Sequence, residues 1–161
     1  MTMDSREFTE HYRAYLPAVS KFFAYRTDSS DVEALASEVF SIAWQKRDKA
    51  PVGMELPWLY RISNNVLLNH RRKVKRNFTL PILENDLVAP SADDLVLTNV
   101  TVRNAWAKLK PADRSLLSLT ALEGLSLEEL AAALKISKNA ATIRTYRAKK
   151  NFAEIMKELE G

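Results

Sequence analysis

The chain has 161 residues, a formal net charge of +4 and a pI near 9.3, with 47% hydrophobic and 27% charged residues. This composition is typical of a globular protein, and because cysteine is absent, disulfide scaffolds, thiolate metal sites and thiol catalysis are excluded. No apolar run approaches the roughly 18 residues of a membrane span. Because the first ten residues are too acidic and polar for a secretory signal, we expect a soluble, cytoplasmic protein without direct membrane insertion.

Composition and charge also predict the architecture. The chain has 3 glycines and 6 prolines, too few for the turns of a many-stranded protein, and is rich in helix-forming residues, so we predict an all-α fold. Residues 1–78 hold 13 basic and 9 acidic side chains, and residues 98–161 hold 11 and 7. Residues 79–97 hold four acidic side chains, no basic one and two prolines. We therefore predict two small helical domains, 1–78 and 98–161, joined by an acidic linker, 79–97.

The first block has three helical patterns. Apolar residues at spacings of three and four predict a helix near residues 6–25, which Pro17 should kink or split. A Ser-x-x-Glu capping box predicts that a second helix covers about residues 30–47. A third helix should have Pro57 at its first position and end in the basic run 70–76.

The third helix carries residue types that bind nucleic acid. Five of the seven residues in the run 70–76 are cationic. Nearby amides can hydrogen-bond bases and nearby aromatic rings can stack on unpaired bases. The amides are Asn64, Asn65 and Asn69, and the aromatic residues are Trp58, Tyr60 and Phe78. The alternative interpretation is a solvated helix end beside aromatic rings of the core.

The second block begins with two predicted helices. Ser91 can cap a helix that runs through Leu109. Pro111 can begin another, which should end before Gly124 because glycine suits a left-handed stop.

The end of the chain has the pattern of a helix-turn-helix. A capping box at Ser126 opens a helix to about Leu134, and Ser137 can cap a long helix that contains no glycine or proline. In this motif the first helix braces the second, whose N-terminal half enters the major groove of DNA. Small residues suited to inward positions are Ala131, Ala141 and Ala148.

The long last helix carries donors for DNA. Arg144 and Arg147 share a face, and arginine is the best donor for both guanine edges and phosphates. Lys149 and Lys150 are expected to touch phosphate only. Because charged helix faces are common on protein surfaces, a merely solvated face is the alternative interpretation.

Three segments, in order along the chain, resemble the extracytoplasmic-function (ECF) group of bacterial sigma factors in the sigma-70 superfamily. They are residues 31–44 (DVEALASEVFSIAW), 57–72 (PWLYRISNNVLLNHRR) and 109–149. The resemblance implies a two-domain initiation factor with no catalytic site, no metal, no cofactor and no small-molecule substrate. It also implies core RNA polymerase, promoter DNA and an anti-sigma protein as partners.

The resemblance implies roles for individual residues. The helix over 31–47 matches the one that docks on the polymerase clamp, and the implied contacts are Asp31, Leu35, Glu38 and Trp44, although Trp44 also suits the core. The loop 48–56 and the helix after it match the part that opens the minus-10 element and holds a flipped base. Its implied base contacts are Asn65 and Asn69, and its implied backbone contacts are Arg71, Arg72 and Lys73. The implied minus-35 contacts are Lys138, Asn139, Arg144, Tyr146, Arg147, Lys149 and Lys150.

The recognition helix departs from the family pattern. Residues 139–141 (Asn-Ala-Ala) replace a common Gly-Thr-Val, Thr145 stands where an apolar inward residue is usual, and Lys135 replaces a turn glycine. The fold should persist, but the base preference of the family does not transfer. Ile143 and Tyr146 either contact a thymine methyl or a sugar, or pack on neighbouring helices.

Other functions fit parts of the sequence. A helix-turn-helix regulator that works without polymerase would explain residues 98–161 but not 31–44 or 57–72. A protein that binds RNA or an anionic membrane surface would bind without sequence preference and with strong salt dependence. An enzyme has the least support, because His11 and His70 are expected on the surface and no glycine-rich phosphate loop or metal-ligand spacing occurs.

The sequence therefore predicts an alternative sigma factor that directs core RNA polymerase to specific promoters. The domain 1–78 would bind polymerase and recognise and melt the minus-10 element, and the domain 98–161 would recognise the minus-35 element. The linker would span the polymerase between them.

Overall fold

The computed structural model describes residues 3–74, 87–92, 95 and 99–161. The regular structure of these residues is helical, with no strand among them, which confirms the predicted all-α fold. The chain divides into two units, Met1–Leu80 and Pro81–Gly161. The predicted domain limits at residues 78 and 98 stay a prediction, because most of the segment 79–97 lies outside the described residues.

The N-terminal unit is built from four α-helices and two short 3₁₀ turns. Helices α1 (Ser5–Tyr12) and α2 (Leu16–Ala24) are separated by the 3₁₀ turn Arg13–Tyr15, and α3 (Ser29–Gln45) and α4 (Glu55–Val74) by the 3₁₀ turn Arg47–Lys49. Pro17 lies in the first turn of α2, so the predicted splitting of the first helix is confirmed.

Helices α3 and α4 each begin earlier than predicted. Asp28 is the N-cap residue of α3 and its side chain makes no capping hydrogen bond, so the capping box predicted at Ser30 is wrong. Ser30 already lies inside the first turn of α3. Helix α4 begins at Glu55, two residues before Pro57. Proline is tolerated there because a first-turn N–H has no partner within the helix.

The core of the N-terminal unit lies between α2, α3 and α4, which all pack against one another. The aromatic rings of Phe22 and Tyr60 lie 5.6 Å apart at its centre. Arg26, although charged, is also buried: its guanidinium lies 3.9 Å from the centre of the Phe22 ring and donates a 3.0 Å hydrogen bond to the Phe22 carbonyl. The other fully buried large side chains are Val19, Phe23, Val39, Pro57, Leu59, Val66 and Leu67.

The C-terminal unit begins its helices with α5 (Val100–Lys108) and α6 (Pro111–Leu117). Asn99 caps α5 by accepting a 3.1 Å hydrogen bond from the Val102 N–H, so the prediction that Ser91 caps this helix is wrong. Pro111 begins α6 as predicted. A π-helical turn, Ser118–Leu122, then leads to Gly124, whose φ of +71° confirms the predicted left-handed stop.

Helices α7 (Leu127–Leu134) and α8 (Lys138–Glu160) form the predicted helix-turn-helix. The capping box at the start of α7 is present: the Glu129 N–H donates to Ser126 Oγ at 3.1 Å, and the Ser126 N–H donates to Glu129 Oε1 at 3.0 Å. Ser137 caps α8 by accepting a 3.0 Å hydrogen bond from the Ala140 N–H. Helix α8 packs against α5, α6 and α7. Among the described residues, no helix is both long and apolar enough to cross a membrane.

Candidate nucleic-acid interface

Helix α8 is buried along a narrow stripe of small residues. Ala141 and Ala148 are fully buried and Thr145 is 7% exposed, at spacings of four and three. Ala131 of α7 is also buried, so the three alanines predicted at inward positions are confirmed there. Small side chains let the neighbouring helices approach closely. Between Lys138 and Lys150 the remaining α8 residues are exposed, except for the half-buried Ala140.

All seven predicted minus-35 residues are exposed on α8. They are Lys138, Asn139, Arg144, Tyr146, Arg147, Lys149 and Lys150. Within the described residues, no hydrogen bond or ion pair engages the side chains of Arg144, Arg147, Lys149 and Lys150. Four of the cations on this surface are therefore available to an anionic ligand such as a DNA backbone.

Lys138 differs from the other cations because it is already paired. Its Nζ lies 2.6 Å from Oε1 of Glu128 at the start of α7. The hydrogen bond from Lys138, together with a backbone hydrogen bond and the charge of Lys138, lowers the pKa of Glu128. This pair links the two helices of the motif across the turn, and sequence analysis did not predict it.

Two of the three departures from the family pattern lie in the turn and in the buried stripe. Lys135 adopts a left-handed conformation, with φ of 56° and ψ of 46°, at the position where glycine is common. Thr145 points inward as expected, and its buried Oγ1 has no hydrogen-bond partner in the described part of the chain. Both residues carry a conformational or desolvation cost that Gly or Val would not carry.

Ile143 and Tyr146 are both exposed on α8. Ile143 is 42% exposed and Tyr146 is 68% exposed. Of the two alternatives that the sequence leaves open, the structure therefore disfavours packing for these side chains.

Helix α4 presents a second polar and basic surface. Asn65, Asn69, Arg72 and Lys73 are exposed, at spacings that place them along one side of the helix. Arg71 is half-buried and donates a 3.1 Å hydrogen bond from Nη2 to the Arg26 carbonyl. The predicted minus-10 residues thus divide into four exposed side chains and one that also holds the fold together.

Other candidates near α4 are placed differently. Asn64 is 6% exposed, so its side chain is not accessible to a base in this structure. Tyr60 is 1% exposed and Trp58 is half-buried, which agrees with the alternative interpretation that these rings belong to the core or its edge. Phe78 and the end of the basic run, residues 75–76, lie outside the described residues. Arg61 is half-buried one helical turn before Asn65, and burial lowers its pKa.

The loop between α3 and α4 borders a cleft of about 420 Å³. Its lining includes His11, Tyr12, Arg47, Asp48 and Glu55. Nε2 of His11 and Oε2 of Glu55 are 2.8 Å apart. Burial alone would raise the pKa of Glu55, but the hydrogen bonds from His11 and from backbone N–H groups outweigh it and the pKa is lowered. Burial raises the pKa of Tyr12, and the nearby Glu55 raises it further.

The predicted polymerase-binding residues of α3 lie in different environments. Glu38 is exposed, and Asp31 is partly exposed with its Oδ2 3.4 Å from Nε2 of His70. Leu35 is buried, so its side chain faces the core of the unit. Trp44 is half-buried, and the guanidinium of Arg47 lies 3.7 Å from its ring. On α3, Glu38 is the predicted contact most accessible to a partner.

Comparison with known families covers both units. Residues 11–77 match the family described as Sigma-70 region 2, and residues 100–152 match the family described as Sigma-70, region 4. The first match spans α2, α3 and α4, and the second spans α5 through most of α8.

Named relatives extend the likeness over most of the chain. The ECF RNA polymerase sigma factor SigF of Caulobacter vibrioides is 32% identical over 133 residues, which cover 81% of this chain and 74% of SigF. The RNA polymerase sigma factor CarQ of Myxococcus xanthus is 26% identical over 158 residues, covering 95% of this chain and 91% of CarQ.

Solved structures share the fold. The sigma factor RpoE of Bartonella quintana, solved with the anti-sigma factor NepR, gives a TM-score of 0.61 at 22% identity, covering 94% of this chain and 98% of RpoE. CnrH, solved with the cytosolic domain of CnrY, also gives 0.61, at 21% identity, covering 96% of this chain and 90% of CnrH.

Proposed function

The chain belongs to the ECF group of sigma-70 factors, and from that premise we propose how its two units divide the work of an alternative sigma factor. Such a factor directs core RNA polymerase to specific promoters at transcription initiation. The observation that carries the division is that each unit exposes one polar and basic helix surface, α4 in the first and α8 in the second. Neither surface needs a catalytic group, and we infer that the chain has no enzymatic activity of its own.

The N-terminal unit is proposed to bind core polymerase through α3. Glu38 is the side chain best placed for a direct contact, because it is charged and exposed. Asp31 is partly engaged by His70, so its role would be shared between the fold and the partner. Leu35 and Trp44 would act by fixing the position of α3 rather than through full exposure.

The same unit is proposed to recognise and open the minus-10 element through α4. Asn65 and Asn69 offer amide donors and acceptors for base edges, and Arg72 and Lys73 offer cations for the backbone. Arg71 contributes charge while it holds the Arg26 carbonyl. A base that is flipped out of the DNA base stack needs a pocket in the protein. The cleft beside the loop 48–56 has a suitable volume for one base.

The C-terminal unit is proposed to recognise the minus-35 element as a duplex. The exposed surface of α8 carries Asn139 near its N-terminus and cations from Arg144 onward. In a helix-turn-helix the N-terminal half of the second helix lies closest to base edges. Lys149 and Lys150, further along, would meet phosphate. We propose that the linker joins the two modest DNA contacts and raises the effective concentration of each for the other.

We propose that an anti-sigma protein restrains this chain. RpoE and CnrH, whose fold it shares, were each solved in complex with another protein, an anti-sigma factor in the case of RpoE. The setting of all these interactions would be the cytoplasm, where core polymerase and promoter DNA are found.

The division between the units is tested by two sets of variants. Glu38→Arg should weaken binding to core polymerase, and Glu33→Arg, the same charge change at another exposed position of α3, serves as the control. The double variant Arg144→Ala, Arg147→Ala should bind polymerase normally but lose at least tenfold in transcription from minus-35-dependent promoters, since each arginine contact contributes about 1–3 kcal/mol. Binding is measured by gel filtration with core polymerase, and transcription by run-off assays at one fixed salt concentration.

Unchanged transcription in both sets would show that these residues do not have the proposed roles. If the protein bound duplex DNA specifically but never bound core polymerase, it would instead act as a polymerase-independent regulator.

A further inference from the structure

We propose that Ile143 and Tyr146 form an apolar reading surface for the C5 methyl group of thymine in the minus-35 element. This inference rests on the proposed function of α8 and adds the base class that the helix prefers. The juxtaposition that carries it is an exposed apolar pair, one helical turn apart, in the middle of an otherwise polar and basic helix surface.

The pair lies on the side of α8 opposite its buried stripe. Ala141, Thr145 and Ala148 face the unit's interior. Ile143 lies two positions after Ala141 and Tyr146 lies five positions after it. At 3.6 residues per turn, both offsets correspond to the opposite side of the helix. A DNA duplex that contacts the outer side of α8 would therefore meet these two side chains at the centre of the contact.

Exposed apolar side chains of this size are uncommon in the described residues, and nowhere else are two found a turn apart on one helix. The large hydrophobic side chains exposed there are Leu16, Val52, Val74, Val100, Ile143 and Tyr146. A solvated surface gains nothing from an isoleucine and a tyrosine beside four cations. An exposed apolar cluster instead points to a surface that is covered when a ligand binds.

The surrounding charges indicate which ligand covers it. Arg144 and Arg147 flank the apolar pair on one side, Lys149 flanks it on the other, and Lys150 follows it along the helix. A rim of cations around an apolar centre suits a major groove, where phosphates line the edges and base edges form the floor. Of the groups on that floor, the thymine methyl is the apolar one. An isoleucine side chain cannot form a hydrogen bond, so the methyl is the feature it can distinguish.

Asn139 is compatible with the same base-pair class. It lies one helical turn before Ile143 on the same outer side, and it is exposed. Asparagine pairs through its amide with the N6 and N7 atoms of adenine. The amide and the two apolar side chains at the centre of the outer side therefore favour A·T pairs, and the arginines lie to one side of that centre.

The test removes the methyl group and nothing else. Core polymerase is reconstituted with the full chain, its preferred minus-35 sequence is selected from a promoter library, and each thymine of that element is replaced by deoxyuridine. For the native chain, we expect at least one replacement to weaken promoter binding about three- to fivefold, which is the size of one lost methyl contact. The Ile143→Ala holoenzyme should lose this sensitivity. Lys149→Ala is the control: it should weaken binding to all promoters alike and keep the sensitivity.

Several results would overturn the inference. If the selected element contained no thymine, or if deoxyuridine had no effect on the native holoenzyme while promoter-selective transcription persisted, the inference would fail and the proposed function would stand. Sensitivity that survived in both Ile143→Ala and Tyr146→Ala would assign the methyl contact to other residues. Absence of any promoter selectivity would overturn the proposed function and this inference together.

Discussion

The two helices that face nucleic acid are built into their units in opposite ways. Helix α4 supplies much of the core of its unit, and side chains next to its exposed surface also hold neighbouring elements: Arg71 binds the Arg26 carbonyl and His70 pairs with Asp31. The part of helix α8 up to Lys150 is attached through a stripe of small residues, and the side chains of its cations from Arg144 onward make no hydrogen bond or ion pair to described residues.

In the C-terminal unit, the residues of α8 that face DNA are therefore separate from those that stabilise the fold. In the N-terminal unit, residues of α4 serve both purposes. A substitution on the outer side of α8 should change which DNA is bound and leave the fold intact. A substitution near the C-terminal end of α4 should change both. The promoter specificity of the minus-35 contact is therefore easier to alter than that of the minus-10 contact.

The largest expected effect on stability comes from replacing Arg71 of α4, and its exposed neighbour Arg72 serves as the control. Arg71→Ala removes a charged hydrogen bond to a backbone carbonyl and should destabilise the N-terminal unit by about 2 kcal/mol. Arg72→Ala, at the exposed neighbouring position, should change its stability by less than about 0.5 kcal/mol. Both should weaken promoter opening. Urea unfolding and hydrogen exchange of the N-terminal unit measure the difference in free energy of unfolding. Equal effects of the two variants would show that stability and DNA recognition are not coupled at Arg71.

In the C-terminal unit, Thr145→Val should raise stability without altering promoter choice. The variant keeps the shape of the side chain and removes a buried hydroxyl that lacks a partner in the described residues, which should stabilise the unit by about 1–1.5 kcal/mol. Hydrogen exchange of the C-terminal unit and selection from the same promoter library measure the two quantities. A changed promoter preference would contradict the separation of the buried stripe from the reading surface.

Lys135→Gly should stabilise the same unit by about 1 kcal/mol, because Lys135 has φ of 56°, a left-handed conformation that costs a non-glycine residue about that much. The matched variant Lys135→Ala should give no such gain, since alanine keeps the steric conflict at Cβ. Urea midpoints of the three proteins test this expectation, and equal gains from Gly and Ala would point to removal of the lysine charge instead.

The smallest expected effect depends on pH and belongs to the N-terminal unit. The lowered pKa of Glu55 means that its contribution to stability is fully present above the ordinary carboxyl pKa and is lost as the pH falls through the lowered value. The native chain loses stability as the pH falls below about 4.5, and in Glu55→Gln this loss of unfolding free energy should be smaller by under about 1 kcal/mol. Unfolding curves between pH 3 and pH 7 give the comparison, with Glu10→Gln, at an exposed position, as the control. Parallel pH profiles for Glu55→Gln and the native chain would rule out this contribution.

Local capping signals predict two helix starts in the C-terminal unit correctly but fail at Ser30, where Asp28 is the N-cap residue instead. The starts of α7 and α8 follow from hydroxyl caps at Ser126 and Ser137, because each cap accepts a hydrogen bond from an N–H three residues later. The start of α5 was misplaced because Ser91 and Asn99 are equally good caps by residue type, and their sequence context does not distinguish them.

The sequence predicts which residue types form the candidate site, but it predicts less well which of these side chains are exposed. Asn64 and Asn65 are adjacent amides, and the phase of α4 buries the first and exposes the second. Helical spacing places Asn64 with Tyr60 and Leu67, so the apolar pattern did contain that information. The pairing of Lys138 with Glu128 and of Arg71 with the Arg26 carbonyl depends on how separate helices meet, which no local pattern specifies.

Run-off transcription with bacterial core polymerase on a promoter library tests the division of labour most directly. The native chain should give protein-dependent transcripts from promoters that share two elements. The Arg144→Ala, Arg147→Ala variant should lose the requirement for the upstream element while it still binds polymerase and still needs the downstream one. The account would be contradicted if that variant lost selectivity at the downstream element, or if the native chain gave no transcripts and did not bind core polymerase.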